Sequence, residues 1–359
     1  MIDRVDDAAT SDRDREMTAP EHRPPGRRRV VSLPRVLLLL VALISFHVVA
    51  PSIVSVLGAW PRVSSVAPAW LVVIVACEGV SFTSAIALQR IALRTRNWFA
   101  VGTSQLSANA LSQVVPGGAA AGATLQLRML GQSGIDTATA VAGFTAFSLL
   151  QTASIFFLPV LTIPTILLGA PVDRGLAQTA VLGVGGFVVV AGLGAVLLTT
   201  DGLLVRIGRL AQSVRNRILR RRRPVTTLPA TLVRERNGIR EVLGEHWRAA
   251  LLATSCRLGF DFLALFAALA AVGARPRPSL ALLAYTASSL LAMIPITPGG
   301  LGLVEAGLTG TLALAGVAAA PAVLATLLYR LASYWLPIFA GPVAYTLFRR
   351  RYRVPRASG

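Results

Sequence analysis

The sequence contains no lysine: all 35 of its basic side chains are arginine, set against only 16 acidic ones. Charge of either sign is scarce, at 14% of 359 residues. A soluble chain of this length needs far more charged surface around its cores, so a soluble enzyme is a poor fit. Cysteine is limited to Cys77 and Cys256, both inside apolar runs and without a C-x-x-C partner, which argues against a disulfide framework or a zinc site. His22, His47 and His246 are too scattered to form a metal cluster, and no nucleophile and base stand at a recognisable spacing. The expectation is therefore a protein that is not an enzyme and carries no cofactor.

What is abundant is apolar sequence, 54% of the chain, at a mean hydropathy of +0.65. About 20 apolar residues cross a hydrocarbon core of roughly 30 Å. Runs of that length read at 36–59, 69–88, 137–160, 178–200, 249–272 and 322–347, with less regular apolar sequence at 105–133 and 279–317. Residues 1–34 mix acidic residues, prolines and arginines without an apolar period and read as a disordered cytoplasmic tail. The first run is too long, and too far from the N-terminus, for a signal peptide. A transmembrane domain then occupies 35–348, followed by a basic cytoplasmic tail at 349–359.

Arginine placement sets the orientation. Arg27, Arg28, Arg29 and Arg35 precede the first run, and Arg90, Arg94 and Arg96 follow the second, which puts both ends of that hairpin in the cytoplasm. The segment 201–248 carries 12 arginines against three glutamates and Asp201, and is cytoplasmic on the same rule. It reads first as an orientation signal and second as a platform for anionic headgroups, worth about 1 kcal/mol per basic residue near the surface. No folded nucleic-acid module accompanies the charge, so nucleic acid is not expected as a partner. With both termini inside, the number of crossings is even. It is eight if 279–295 and 301–317 both span the bilayer, and six if they form a re-entrant pair.

Pro-Gly-Gly occurs twice in apolar surroundings, at Pro116-Gly117-Gly118 and at Pro298-Gly299-Gly300. The two segments align without a gap, and Gly134-Ile135 falls opposite Gly316-Val317. Proline removes a helical hydrogen bond and glycine relaxes the backbone, so each motif should break a helix at membrane depth. Broken backbone is tolerated there only when it is buried in protein or lines a wet cavity. One motif follows a cytoplasmic segment and the other an external one. The expected fold is therefore an all-α, polytopic helical membrane protein in which two Pro-Gly-Gly-broken helix pairs form an inverted repeat around a midplane site.

Charges within the apolar zone belong to a cavity or to a partner, because each costs about 2.5–3.5 kcal/mol at the bilayer centre. Glu305 follows the second Pro-Gly-Gly, Arg330 lies in the last run and Arg128 in the arm of the first repeat. Glu78 sits mid-run and is expected to meet Arg330 or Arg128 across the bundle. Arg257 and Asp261, one turn apart, are expected to neutralise each other as a structural pair.

These residues carry a resemblance. The block "PITPGGLGLVEAGLTGTLALAGV" and the following "ATLLYRLASYW" closely resemble the C-terminal signature of the lysylphosphatidylglycerol synthase transmembrane region, a flippase-like integral membrane family. Pro298, Gly299, Gly300, Gly302, Glu305 and Gly316 match one motif, and Tyr329-Arg330 matches another. Pro116, Gly117 and Arg128 match the family's earlier motif, which differs here in having Gly122-Ala123 where the family carries Gly-Glu. The resemblance covers residues 36–347. It implies a protein concerned with movement or modification of lipids bearing polar headgroups. Members that synthesise lysylphosphatidylglycerol add an aminoacyltransferase domain after the membrane part, and that activity is not expected of the present sequence.

The leading expectation is a lipid translocator of the bacterial cytoplasmic membrane, with Pro116, Gly117, Gly118, Arg128, Pro298, Gly299, Gly300, Glu305, Tyr329 and Arg330 around the substrate and Glu78, Arg257 and Asp261 as an intramembrane charge network. Its ligands are phospholipids or polyprenyl-phosphate-linked lipids. Half-helix N-termini after each Pro-Gly-Gly would offer N–H groups to a phosphate. The alternative is a non-catalytic accessory subunit of an envelope glycosyltransferase or lipid-modifying enzyme.

Overall fold

The computed structural model describes residues 66–115, 118–162, 181–189, 228–293 and 298–352, with isolated positions between 178 and 216. The described residues are helical, joined by short turns. The first run at 36–59, the tail at 1–34, Pro116-Gly117 and most of the 201–227 segment fall outside them.

Among the described residues, four helices are long and apolar enough to cross a membrane: Pro68–Ala92 (α1), Thr137–Leu161, His246–Ala271 and Ala319–Arg351. The second comprises α4, Thr137–Phe157, and a 3-10 turn. The third is the membrane part of α5, Leu228–Ala271, which kinks at His246. The fourth comprises α8, Ala319–Arg330, a π-turn at Leu331–Trp335 and α9, Leu336–Arg351. Residues 181–189 are also helical and pack against the end of α4 through an edge-to-face contact of Phe157 and Phe187.

Four shorter helices form two hairpins. Trp98–Val114 (α2) and Gly118–Gln132 (α3) flank the first Pro-Gly-Gly, while Pro278–Ala292 (α6) and Leu303–Leu314 (α7) flank the second. At 1.5 Å per residue these helices run about 18–26 Å, short of a full crossing of roughly 30 Å. The two members of each hairpin pack on each other. Within the first, Gly122 lies so close to α2 that a Cβ would meet the Ala108 carbonyl oxygen at 2.6 Å, the kind of backbone approach small residues allow in membranes.

The repeat legible in the two motifs extends through both halves. At the spacing separating Pro116 from Pro298, α1 falls on the membrane part of α5, α2 on α6, α3 on α7, and α4 on the last span. The C-terminal turns of α3 and α7 are the same structure. Gly134 and Gly316 have φ of +89° and +86°, and the following Ile135 and Val317 N–H groups donate to the Leu130 and Leu312 carbonyls at 3.1 and 3.0 Å. This is a Schellman cap, which requires the left-handed residue that glycine supplies.

The halves run in opposite directions. Ala85, Leu88 and Ala92, late in α1, pack with Ala250 and Ala253, early in the membrane part of α5. Val66 and Ile74, at the start of α1, share a core with Ala264, Leu265, Ala268 and Leu269, late in α5. The first hairpin begins at the basic end of the bundle, where Arg90 lies 3.9 Å over the Trp98 ring and Arg351 4.8 Å over Phe99. There the Asn97 side chain also donates to the Tyr352 hydroxyl at 2.8 Å. The second hairpin shares its core with the opposite end, since Leu308, Leu312 and Val317 belong to the cluster of Val66 and Leu269. The pairs thus enter from opposite ends, as an inverted repeat requires.

Candidate functional site

The tips of the two hairpins meet at one cavity of about 910 Å³, whose wall includes Val115 and Gly118 of the first and Gly299 and Gly300 of the second. The second tip is held in an unusual backbone. Gly299, Gly300 and Gly302 have φ of +59°, +71° and +80°, a region side chains disfavour. At Gly299 a Cβ would also strike the Tyr334 ring at 2.5 Å.

Glu305 and Arg330 fasten this tip. The Gly302 N–H donates to Glu305 Oε2 at 2.7 Å, which caps the start of α7, and Arg330 Nε donates to Glu305 Oε1 at 2.8 Å. The other arm of the guanidinium reaches the Gly299 carbonyl at 3.3 Å, and the group lies 4.3 Å over the Tyr334 ring. Tyr334 in turn donates to the Gln113 carbonyl at 3.2 Å, joining the last span to the end of α2. Arg330 immediately precedes the π-turn, a local unwinding that recurs at functional sites. Of the groups expected on the substrate, Gly118, Gly299, Gly300, Tyr329 and Arg330 line the cavity, while Glu305 stands behind Arg330.

A second set of charges lies on the same wall. Glu78 of α1 is 2% exposed, and its Oε1 has no hydrogen-bond partner. Its neighbours are Asp261 and Arg257 of α5, with Asp261 within hydrogen-bond reach. Asp261 accepts from the Tyr285 hydroxyl at 2.6 Å and from the Tyr329 hydroxyl at 2.8 Å. Three expectations change here. Asp261 is held by two tyrosines rather than by Arg257 one turn away, because α6 and α8 bring hydroxyls to it. Glu78 has Asp261 and Arg257 as its charged neighbours, without an ion pair to Arg257, rather than Arg330 or Arg128, because Arg330 is engaged by Glu305 and α5 packs along α1. Arg128 is exposed and absent from the cavity wall, because α3 turns Gly122 and Gln126 inward instead.

Arg257 lines the cavity and makes no hydrogen bond to a protein acceptor among the described residues. Sequence reading placed it in the intramembrane charge network as a structural partner of Asp261, and did not place it on a cavity wall. Neutral polar groups fill out the wall, among them Gln105, Asn109, Gln126, Gln151 and Ser333, and the Gln105 carbonyl and Ser333 hydroxyl oxygens have no hydrogen-bond partner among the described residues. They sit on α2, α3, α4 and the π-turn, polar residues within otherwise apolar helices, which is the signal that would have found them. Phe82, Phe144, Phe147 and Met293 supply apolar surface beside them. The first half-helix N-terminus, at Gly118–Ala120, opens on the cavity, whereas the second is occupied by the Glu305 carboxylate. Among the described residues no group of three or more histidine, cysteine or acidic side chains could hold a metal ion.

Comparison with known proteins places this architecture. An 84-residue segment is 37% identical to a UPF0104 membrane protein of Methanothermobacter thermautotrophicus, covering 23% of the present chain and 24% of that relative. No solved structure matches. Residues 31–341 match the family described as the lysylphosphatidylglycerol synthase TM region, which embraces both hairpins and the cavity between them. The chain belongs to that family of membrane domains.

Proposed function

We propose that the protein translocates lipids whose headgroups contain a phosphate, admitting the headgroup to the cavity while the acyl chains stay in the bilayer. The observation that carries this reading is Arg257, a guanidinium on the cavity wall that makes no hydrogen bond to an acceptor among the described residues. A phosphodiester supplies the planar, bidentate acceptor that guanidinium suits, and the N–H groups at Gly118–Ala120 offer further donors. Side chains of both signs, Arg257 and Arg330 beside Glu78 and Asp261, line the wall, which suits a headgroup carrying both signs as well as a purely anionic one. Binding and movement require no covalent step, and the protein acts in this reading as a non-enzymatic carrier of the cytoplasmic membrane. Phospholipids and polyprenyl-phosphate-linked lipids share the phosphate chemistry and are its proposed ligands.

The test is translocation by purified protein in liposomes, comparing fluorescent phosphatidylglycerol, its lysyl ester and a lipid without phosphate. The expected result is headgroup-selective movement, lost in Arg257→Ala and Arg330→Ala and retained in Arg128→Ala. Movement of no lipid above protein-free liposomes overturns the proposal and favours an accessory role, with an envelope biosynthetic enzyme sought by co-purification.

A further inference from the structure

The lipid cavity of the preceding section contains a feature that phosphate binding leaves unused. Glu78 and Asp261 are two carboxyl groups within hydrogen-bond reach of each other, and Glu78 is almost wholly buried with one oxygen unpartnered. We propose that Glu78 and Asp261 form a proton-binding site, and that the proton they share travels with the phosphate of the lipid.

The charge count carries the argument. Two carboxylates beside the single guanidinium of Arg257 leave one uncompensated negative charge in a region of low polarity, and like carboxylates this close cannot both ionise freely. The groups around them do not supply the missing charge. On α1 the adjacent residue is Cys77, on α6 and α8 the facing groups are the hydroxyls of Tyr285 and Tyr329, and Arg330 is committed to Glu305. From α2 and α4 only neutral side chains, such as Gln105, Ser148 and Gln151, line the shared cavity, and the π-turn contributes Ser333. Asp261, which accepts from both tyrosines, is the better acceptor, so the proton resides on Glu78 and its O–H points to Asp261. No bond other than O–H forms or breaks. The proton comes from water at one face and returns to water at the other.

Coupling follows from the sharing of Arg257. Protonation of Glu78 removes one of the two negative charges competing for that guanidinium, so a phosphodiester docks on Arg257 more readily, and the docked phosphodiester in turn holds the proton on Glu78. Headgroup and proton are then favoured together, in one-to-one ratio. This extends the translocator reading and rests on it.

The experiment has two arms, both on the full chain. Infrared spectra of the purified protein at neutral pH should show the carbonyl band of a protonated carboxylic acid, since unperturbed carboxyls are ionised there. The band should vanish in Glu78→Gln, persist in Glu305→Gln and return in Glu78→Asp, whose side chain still binds a proton. In liposomes bearing a one-unit pH gradient, fluorescent phosphatidylglycerol should accumulate in the leaflet on the alkaline side by up to about tenfold, the limit for one proton per lipid, and should equilibrate evenly with Glu78→Gln. Absence of the band from the wild-type protein, or its survival in Glu78→Gln, overturns the proton site. Lipid that moves but ignores the gradient overturns the coupling and leaves the translocator reading standing. Lipid that never moves, with or without a gradient, overturns both readings of transport, while the infrared arm still decides the site.

Discussion

Arg330 and Glu305 lie 25 residues apart and meet through a 2.8 Å ion pair that also fixes the backbone of the second Pro-Gly-Gly turn. Glu305 caps Gly302, Arg330 reaches Gly299, and the turn is held from both sides. The pair therefore shapes one wall of the cavity, which its arginine also lines.

Removing either partner should cost about 1.5–3 kcal/mol, the range for a hydrogen bond to a charged group. Arg330→Lys should recover little of it, because an ammonium lacks the fork that engages Glu305 and Gly299 together. Thermal unfolding in detergent of Arg330→Lys, Arg330→Ala and Glu305→Gln measures this. Full recovery by lysine would show that charge alone matters.

Gly299→Ala should destabilise the fold by about 1–2 kcal/mol through left-handed backbone strain, with the clash on Tyr334 adding to it. Adding Tyr334→Ala should relieve the clash and leave the strain, so the double variant falls short of additivity. Melting temperatures of the two singles and the double check the sign of that coupling.

Tyr285→Phe removes one of the two hydroxyls that hold Asp261 and should cost about 1.5–3 kcal/mol. Tyr329→Phe should cost a similar amount and also slow lipid movement, because Tyr329 lines the cavity. Equal transport in both variants would remove Tyr329 from the site.

Cysteine placed at Asn109, in a background lacking Cys77 and Cys256, should react with a polar thiol reagent and be protected by phosphatidylglycerol. Cysteine at Arg128, on an exposed face, should react to the same extent with lipid present or absent. The rates of the two reactions, measured in detergent, give the comparison directly.

At Gly341, the last span approaches α2 so closely that a Cβ would collide with that of Ala110. Gly341→Val should lower the yield of folded protein and its melting temperature, and Ala110→Gly should restore part of the loss. Size-exclusion profiles and thermal melts show whether it does.

Much of this arrangement was legible in the sequence. The paired Pro-Gly-Gly segments and the aligned glycines at 134 and 316 gave the inverted hairpins, because proline and left-handed glycine have few roles in a membrane helix. Arg330 and Glu305 were legible as intramembrane charges in need of a partner, though the sequence did not say that each is the other's. What could not be read was the facing of each charge. Arg128 and Arg257 look equivalent in a hydropathy profile, yet one points outward and the other into the cavity, since that depends on which side of each helix a distant neighbour covers. The ring of glutamines and serines was equally hidden, because one amide in an apolar stretch gains meaning only when several helices bring theirs to the same place.

The two hairpins also alter the electrostatic landscape of the bilayer. Moving a charged headgroup through hydrocarbon is opposed by a self-energy that lasts for the whole thickness of low-dielectric material, roughly 30 Å in an ordinary membrane. Where two short helix pairs meet tip to tip at a polar cavity, that slab is divided into two thinner layers with a solvating station between them. In the proposed translocator a single high barrier would become two lower ones, set by helix pairs each too short to cross that slab alone.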